Sequence, residues 1–254
     1  MRYVDLSLPL EDDRRFSPWW ARTKVVNQSH AFGAWAIRLV LGLPKRLLKS
    51  RLGWANDVLT LSTHGTTHVD APWHYAPTSG GKPARTIDEM PLDWFHGPAV
   101  VLDFSAAPRD HAITVAELQA ALARLDHTLR PGDVVLIRTD NDRRWGERAY
   151  FSLGPGVSAD GTRWLLKQGV RLTGIDAWGW DAPLAKQAAE AQRTGRDDVF
   201  WQAHFVGLER EYCHIERLAN LAELPPLGAT ICAFPLKVKR GSAGPSRVVG
   251  MIAD

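Results

Sequence analysis

A chain of 254 residues, 45% hydrophobic and with a formal net charge of +3, can fill a sizeable core and offers no basic stripe for nucleic acid. Its two cysteines, Cys213 and Cys232, make no disulfide framework and point to a reducing compartment. The opening residues lack the apolar core of a signal peptide, and the apolar run at 31–43 is broken by Arg38 and too short to span a bilayer, so a cytoplasmic protein with no nucleic-acid or membrane partner is expected.

Residues 3–9 read as a first strand stopped by Pro9. Residues 11–55 follow, with Trp19-Trp20, an apolar helix-like stretch around Trp35 and a basic end from Lys45 to Arg51. That segment is expected to be a lid or a subunit contact with solvated lysines rather than a membrane-surface motif, and a homo-oligomer, dimer or tetramer, follows from the contact reading. Residues 58–63 are β-branched and alternating, hence a strand, and 79–83 form a turn-rich loop. Thr86 starts a short N-capped helical turn, and 99–104 is a strand apolar enough to be buried on both faces. Thr114 and Glu117 form a capping box that opens a helix, followed by a buried strand at 132–139. A helix from Ser158, a strand at 170–176, a helix after Pro183 and a short strand at 212–216 come next. Strands at 229–235 and 247–253 close the chain, with a flexible loop at 241–245 between them. Strands alternate with helices in the middle while both ends are strand-rich, which gives an α/β class with a mixed sheet. Neither a repeat nor a linker interrupts the chain, so one domain over 1–254 is expected.

The chemistry concentrates at residues 62–75, which carry His64, His68, Asp70 and His74. Imidazole and carboxylate are the ligands of Zn²⁺ or Mn²⁺ where no thiolate is offered. In a helix His64 and His68 would share a face, but Asp70 would point about 240° round from His64, at roughly 100° per residue. An extended chain puts all four on one side, and His68 and Asp70 can then share an ion. The chain must still bend to bring His64 in, which Gly65 allows, and Pro72 ends any ladder by withholding its N–H.

These residues resemble the signature of the metal-dependent cyclase family, H-x-G-T-H-x-D-x-P-x-H, which includes bacterial kynurenine formamidases and isatin hydrolases. The match runs through His64, Thr67, His68, Asp70, Pro72 and His74; it departs where Gly65 stands second and Thr66 third, which removes no ligand. In that family a downstream His and Glu complete the centre, and His204 and Glu216, twelve positions apart and followed by Asn220-Leu221, fit that pattern. By spacing alone, Glu209, Glu211 and His214 remain competitors. The likeness covers 1–10 and 56–254 and leaves 11–55 unexplained. It implies a swivelling β/β/α domain, with His64, His68, Asp70, His204 and Glu216 as metal ligands.

Such a ligand set holds one or two divalent ions, zinc or manganese alike, with a position left open for water. The ion lowers the pKa of that water from about 15.7 towards about 7, and the resulting hydroxide attacks a polarised carbonyl. Asp70 or Glu216 would bridge a second ion. His74 is read as general base, which then protonates the departing nitrogen, against the alternatives of a further ligand or a group that orients one. Eleven tryptophans are many, and Trp73, Trp178 and Trp180 flank the motifs as a candidate aromatic wall. Asp176 is either a support for the site or a turn cap. The resemblance therefore implies an amidohydrolase that cleaves the C–N bond of a small aromatic formamide, like N-formylkynurenine, or of a cyclic amide, like isatin. A non-catalytic metal- or ligand-binding protein on the same scaffold, and a lactonase or cyclising enzyme, are the rival readings.

Overall fold

The computed structural model describes residues 1–253, and these group into two compact units: 1–9 with 63–253, and 10–62. In the larger unit nine strands form one sheet: β1 (Arg2–Asp5), β2 (His68–Asp70), β3 (His96–Asp103), β4 (Val134–Arg138), β5 (Leu172–Ile175), β6 (Cys213–Glu216), β7 (Ala229–Cys232), β8 (Ala243–Pro245) and β9 (Val249–Ile252). Their order is β1-β9-β7-β3-β4-β5-β6-β2-β8. The four central strands, β3 to β6, run parallel. Every strand outside them pairs antiparallel with its neighbour. The sheet is thus mixed, as the strand-rich ends predict.

Residue alternation gives the sheet two buried faces. Ala99, Val101, Val134, Leu136, Val69 and Ile215 enter one apolar cluster. Val100, Leu102, Val135 and Ile137 enter the other, where Leu118, Ala121, Leu122 and Leu165 cover them. Those covering residues come from two helices, Val115–Arg124 and Ala159–Lys167. The first is held by the expected capping box between Thr114 and Glu117, and the second by Ser158, whose hydroxyl accepts from Gly161 N. The helix Leu184–Thr194 follows Pro183, which caps it from outside rather than filling its first turn, and stops at Gly195 with φ 66°.

Two local expectations are corrected. Residues 241–245 are a loop only at 241–242: Ala243–Pro245 form β8, which pairs Ala243 with Asp70 and Pro245 with His68, and its place at the sheet edge tolerates the proline. The alternating stretch near residue 58 does not run into the motif; Asn56–Thr60 pairs antiparallel with Lys24–Gln28 inside the smaller unit.

That smaller unit also holds the helix His30–Leu41, capped by Ser29 and ended by Gly42 at φ 67°. Gly33 is required there, because a Cβ would lie 1.9 Å from Trp54 O. The helix buries Gly33, Ala34 and Ile37 and exposes Trp35, Leu39, Val40 and Leu41.

Candidate metal centre

The site grows out of the pairing of β2 with β6. Register places Asp70 opposite His214 and His68 opposite Glu216. Val69 and Ile215 point into the first apolar cluster, so period-two alternation turns the four polar side chains to the other face. All four are buried. A five-residue helical turn, His204–Leu208, adds His204; Gly207 lets it seat closely, since a Cβ there would come 2.3 Å from Tyr75 Cδ2. His74 comes from the single-turn helix Pro72–Tyr75, and His64 from the turn before β2.

The imidazoles are aimed by their second nitrogens. His68 Nδ1 donates to Thr66 O at 2.6 Å, which directs Nε2 to Asp70 Oδ1 at 3.2 Å and Glu216 Oε2 at 3.7 Å. His204 Nδ1 is 2.6 Å from Asp181 Oδ2, which directs Nε2 to Glu216 Oε1 at 3.4 Å and Asp70 Oδ2 at 3.9 Å. His214 meets Tyr75 Oη at 3.2 Å on one side, and Asp70 Oδ2 at 2.9 Å and Glu216 Oε1 at 3.2 Å on the other. His64 Nε2 lies 2.9 Å from Ser242 Oγ and its Nδ1 2.9 Å from Asp70 Oδ1. One nitrogen tied outside and one turned inward is how metal-bound histidines are held. Backbone contacts fasten the rest. Trp180 N donates to Glu216 Oε1 at 2.9 Å, and the buried Arg217 donates to Gly65 O at 2.6 Å, tying the His64 turn to the end of β6.

Asp70 stands at the centre, between two groups of converging ligand atoms: Asp70, His204, His214 and Glu216, and His64, Asp70 and His74. Burial alone would raise its pKa, but His74, His64, His68 and His214 hold it well below the usual carboxylate range. Glu216 behaves likewise: burial opposes its charge, and hydrogen bonds from His204 and His214 hold its pKa well below the usual range. Burial pushes His204 down, yet Asp181 and Glu216 override it and raise it to about 10. Asp70 and Glu216 are thus two buried carboxylates held as anions, a charge that a divalent cation would balance. Asp70 Oδ1, fully buried, has no aligned hydrogen-bond donor. His64 Nδ1 and His68 Nε2 nevertheless both approach it and sit 3.3 Å from each other. A carboxylate oxygen flanked by two imidazole nitrogens without a donated proton suits a shared cation. The donor set fits one.

All six metal-motif residues named from sequence converge here: His64, His68, Asp70, His74, His204 and Glu216. His214, weighed only as a competitor, is inside the cluster, while Glu209 pairs with Arg163 and Glu211 with Arg85. Its signal was present: residues two apart on a strand share a face, so 214 accompanies 216. Asp181, Tyr75 and Trp201 carried no such signal; the Trp201 ring stacks on His204 at 4.4 Å and meets His74 edge-on at 5.1 Å. The flanking tryptophans separate. Trp73 is half exposed beside His74, whereas Trp178 lies under the Arg217 guanidinium at 3.6 Å. Trp180 has no exposed surface, donates Nε1–H to Thr162 Oγ1 and stacks beneath His214. Asp176 is a turn anchor: it accepts from Thr139 N, Thr139 Oγ1 and Asp140 N.

A family model described as "Putative cyclase" matches residues 4–182. The isatin hydrolase of Roseibium aggregatum is 31% identical over 205 residues, covering 76% of this chain and 73% of that protein. The kynurenine formamidase of Salinibacter ruber is 32% identical over 196 residues, covering 75% and 77%. The structure of isatin hydrolase A from Ralstonia solanacearum superposes with a TM-score of 0.77 at 26% identity, covering 99% of this chain and 92% of that one.

Proposed function

Because this chain belongs to the cyclase family, we propose that it is a metal-dependent hydrolase that cleaves the C–N bond of a small aromatic formamide or cyclic amide. The observation that carries the reading is the β2–β6 register, which stacks His68 and Asp70 against Glu216 and His214 in a buried, carboxylate-rich pocket. Asp70, His204, His214 and Glu216 would hold one divalent ion, zinc or manganese, and His64 and His68 with Asp70 a second. Bound there, the ion supplies Lewis acidity to a carbonyl and makes a water acidic enough to ionise near neutral pH. The protein's own part is positional. Asp181, Tyr75 and Ser242 hold the imidazoles so that each turns one nitrogen inward. His74 is assigned as the base that takes the water's proton and passes it to the departing nitrogen, and Trp201, whose ring meets that of His74, with the exposed Trp73 would face an aromatic substrate.

The test is turnover of isatin and N-formylkynurenine, beside an aryl ester, by protein loaded with zinc or manganese. Hydrolysis of at least one amide in preference to the ester is expected. Ester cleavage alone would make it a lactonase-type enzyme, and binding without turnover would make it a binding protein.

We further infer that the helix His30–Leu41 meets a second copy of the chain. Trp35, Leu39, Val40 and Leu41 are each more than half exposed, and large apolar side chains gathered on one short helix are a feature of interaction sites. Light scattering should give a dimer or larger, and Leu39→Lys should shift it towards monomer. A strictly monomeric wild-type mass would dispose of the contact.

A further inference from the structure

A further cleft, of about 790 Å³, is lined by none of the metal ligands. Its wall carries Lys82, Arg85, Arg171 and Arg210 against one acid, Glu211. Arg85 is spent on that acid, through Nε at 2.8 Å and Nη2 at 2.6 Å. Arg171 reaches Asp93 only at 3.8 Å, and Arg210 Nη1 donates to the Leu166 carbonyl rather than to a carboxylate. Positive charge therefore remains over. Trp94, packed against the first apolar cluster, adds an aromatic ring to the wall, with the Arg85 and Arg171 guanidinium groups over it at 5.1 and 5.5 Å from its centroid. Pro91 and Pro131 extend the apolar side.

One polar group in this wall lacks a protein partner. The hairpin formed by Thr78–Ser79 and Lys82–Pro83 turns through Gly80 and Gly81, both at positive φ, and sets Ser79 opposite Lys82. Ser79 is 6% exposed and its Oγ has no hydrogen-bond partner. A buried hydroxyl left without an acceptor is destabilising. Beside surplus cations and an aromatic face, it marks a place for an acceptor oxygen from outside.

We propose that this cleft is a binding site for a small aromatic carboxylate, with Lys82 and Arg210 facing the carboxylate and the apolar side formed by Pro91, Pro131 and Trp94 facing the ring. No residue in its wall belongs to the metal centre. The site stands whether or not the proposed hydrolase reading holds.

Calorimetric titration of benzoate into the metal-loaded full chain tests it, with benzyl alcohol as the neutral counterpart and inorganic phosphate as the anion without a ring. The same titrations in Asp70→Asn remove the rival oxyanion ligand of the metal centre. Benzoate should bind in both proteins and benzyl alcohol in neither. Lys82→Ala and Arg210→Gln, each made in the Asp70→Asn background, should weaken benzoate about tenfold, the scale of one lost charge-assisted hydrogen bond. Benzoate binding that vanishes in Asp70→Asn would place the acid on the metal, and binding that persists there undiminished by both cleft substitutions would place it elsewhere; either result overturns the proposal. Equal binding of benzyl alcohol or of phosphate, or no benzoate binding at millimolar concentration, would overturn it as well.

Discussion

Asp70→Asn should leave the protein folded, strip it of metal and lower turnover by about a thousandfold or more. Asparagine keeps the shape of the side chain, so packing around a fully buried position changes little. What it removes is charge at the point where both ligand groups meet. Oδ2 is 2.9 Å from His214 Nε2, and Oδ1 is 2.9 Å from His64 Nδ1 and 3.2 Å from His68 Nε2. An amide offers one neutral oxygen in place of two anionic ones, so a shared hard cation loses its bridge. Loss of the Lewis acid forfeits several kcal/mol of transition-state stabilisation, and each 1.36 kcal/mol is tenfold in rate. Elemental analysis should give about one or two equivalents of zinc or manganese in the wild type and none in the variant. Metal retained at the wild-type level, or a wild type that takes up none after reconstitution, would remove the centre on which the proposed function rests. Circular dichroism separates this outcome from a failure to fold.

The sequence showed half of this centre because half of it is local. His64, His68, Asp70 and His74 fall within one turn, one strand and one helical turn, and their spacing carried the chemistry without any knowledge of the fold. His204 and Glu216 were reachable only through family resemblance, since nothing in their own neighbourhood distinguishes them from Glu209 or Glu211. The β2–β6 register is what selects Glu216, and the docking of the His204–Leu208 turn is what selects His204; register between strands almost 150 residues apart leaves no local trace. His214 was the recoverable omission: once 212–216 is read as a strand, alternation sets it beside Glu216. Asp181 and Trp201 were not recoverable, because their roles depend on where a helical turn docks. The elements of the central sheet were legible from apolar runs, caps and prolines. The edge strand β8 was not, because a glycine- and proline-bearing segment reads as a loop until β2 lies beside it. Trp180 shows the opposite failure. A tryptophan near a motif suggests a substrate wall, but with no exposed surface it is better placed to steady His214 and Glu216 from behind.

His74→Ala should lower turnover by about 10²- to 10⁴-fold, the usual range for a lost general base, while metal stays at the wild-type level. The geometry allows two roles for this imidazole, and this substitution distinguishes them. His74 Nε2 is 3.8 Å from Asp70 Oδ2, farther than the His214 or His64 nitrogens are from the same carboxylate. Its side chain keeps 24% of its surface exposed, whereas those of His68 and His214 keep none, so it is better placed to meet a substrate. Burial, opposed by Asp70, depresses its pKa to about 3, so at neutral pH the ring is uncharged with a lone pair available. An uncharged ring is the starting state for a proton acceptor and for a metal ligand alike, which is why metal content must be measured beside rate. Its ring lies 4.0 Å from the His64 ring and 5.1 Å from that of Trp201, contacts that fix its orientation without consuming Nε2. If His74 were a ligand of the second ion, alanine would cost one equivalent of metal together with activity. A variant that keeps both its metal and its turnover would instead show that the proton moves through another group.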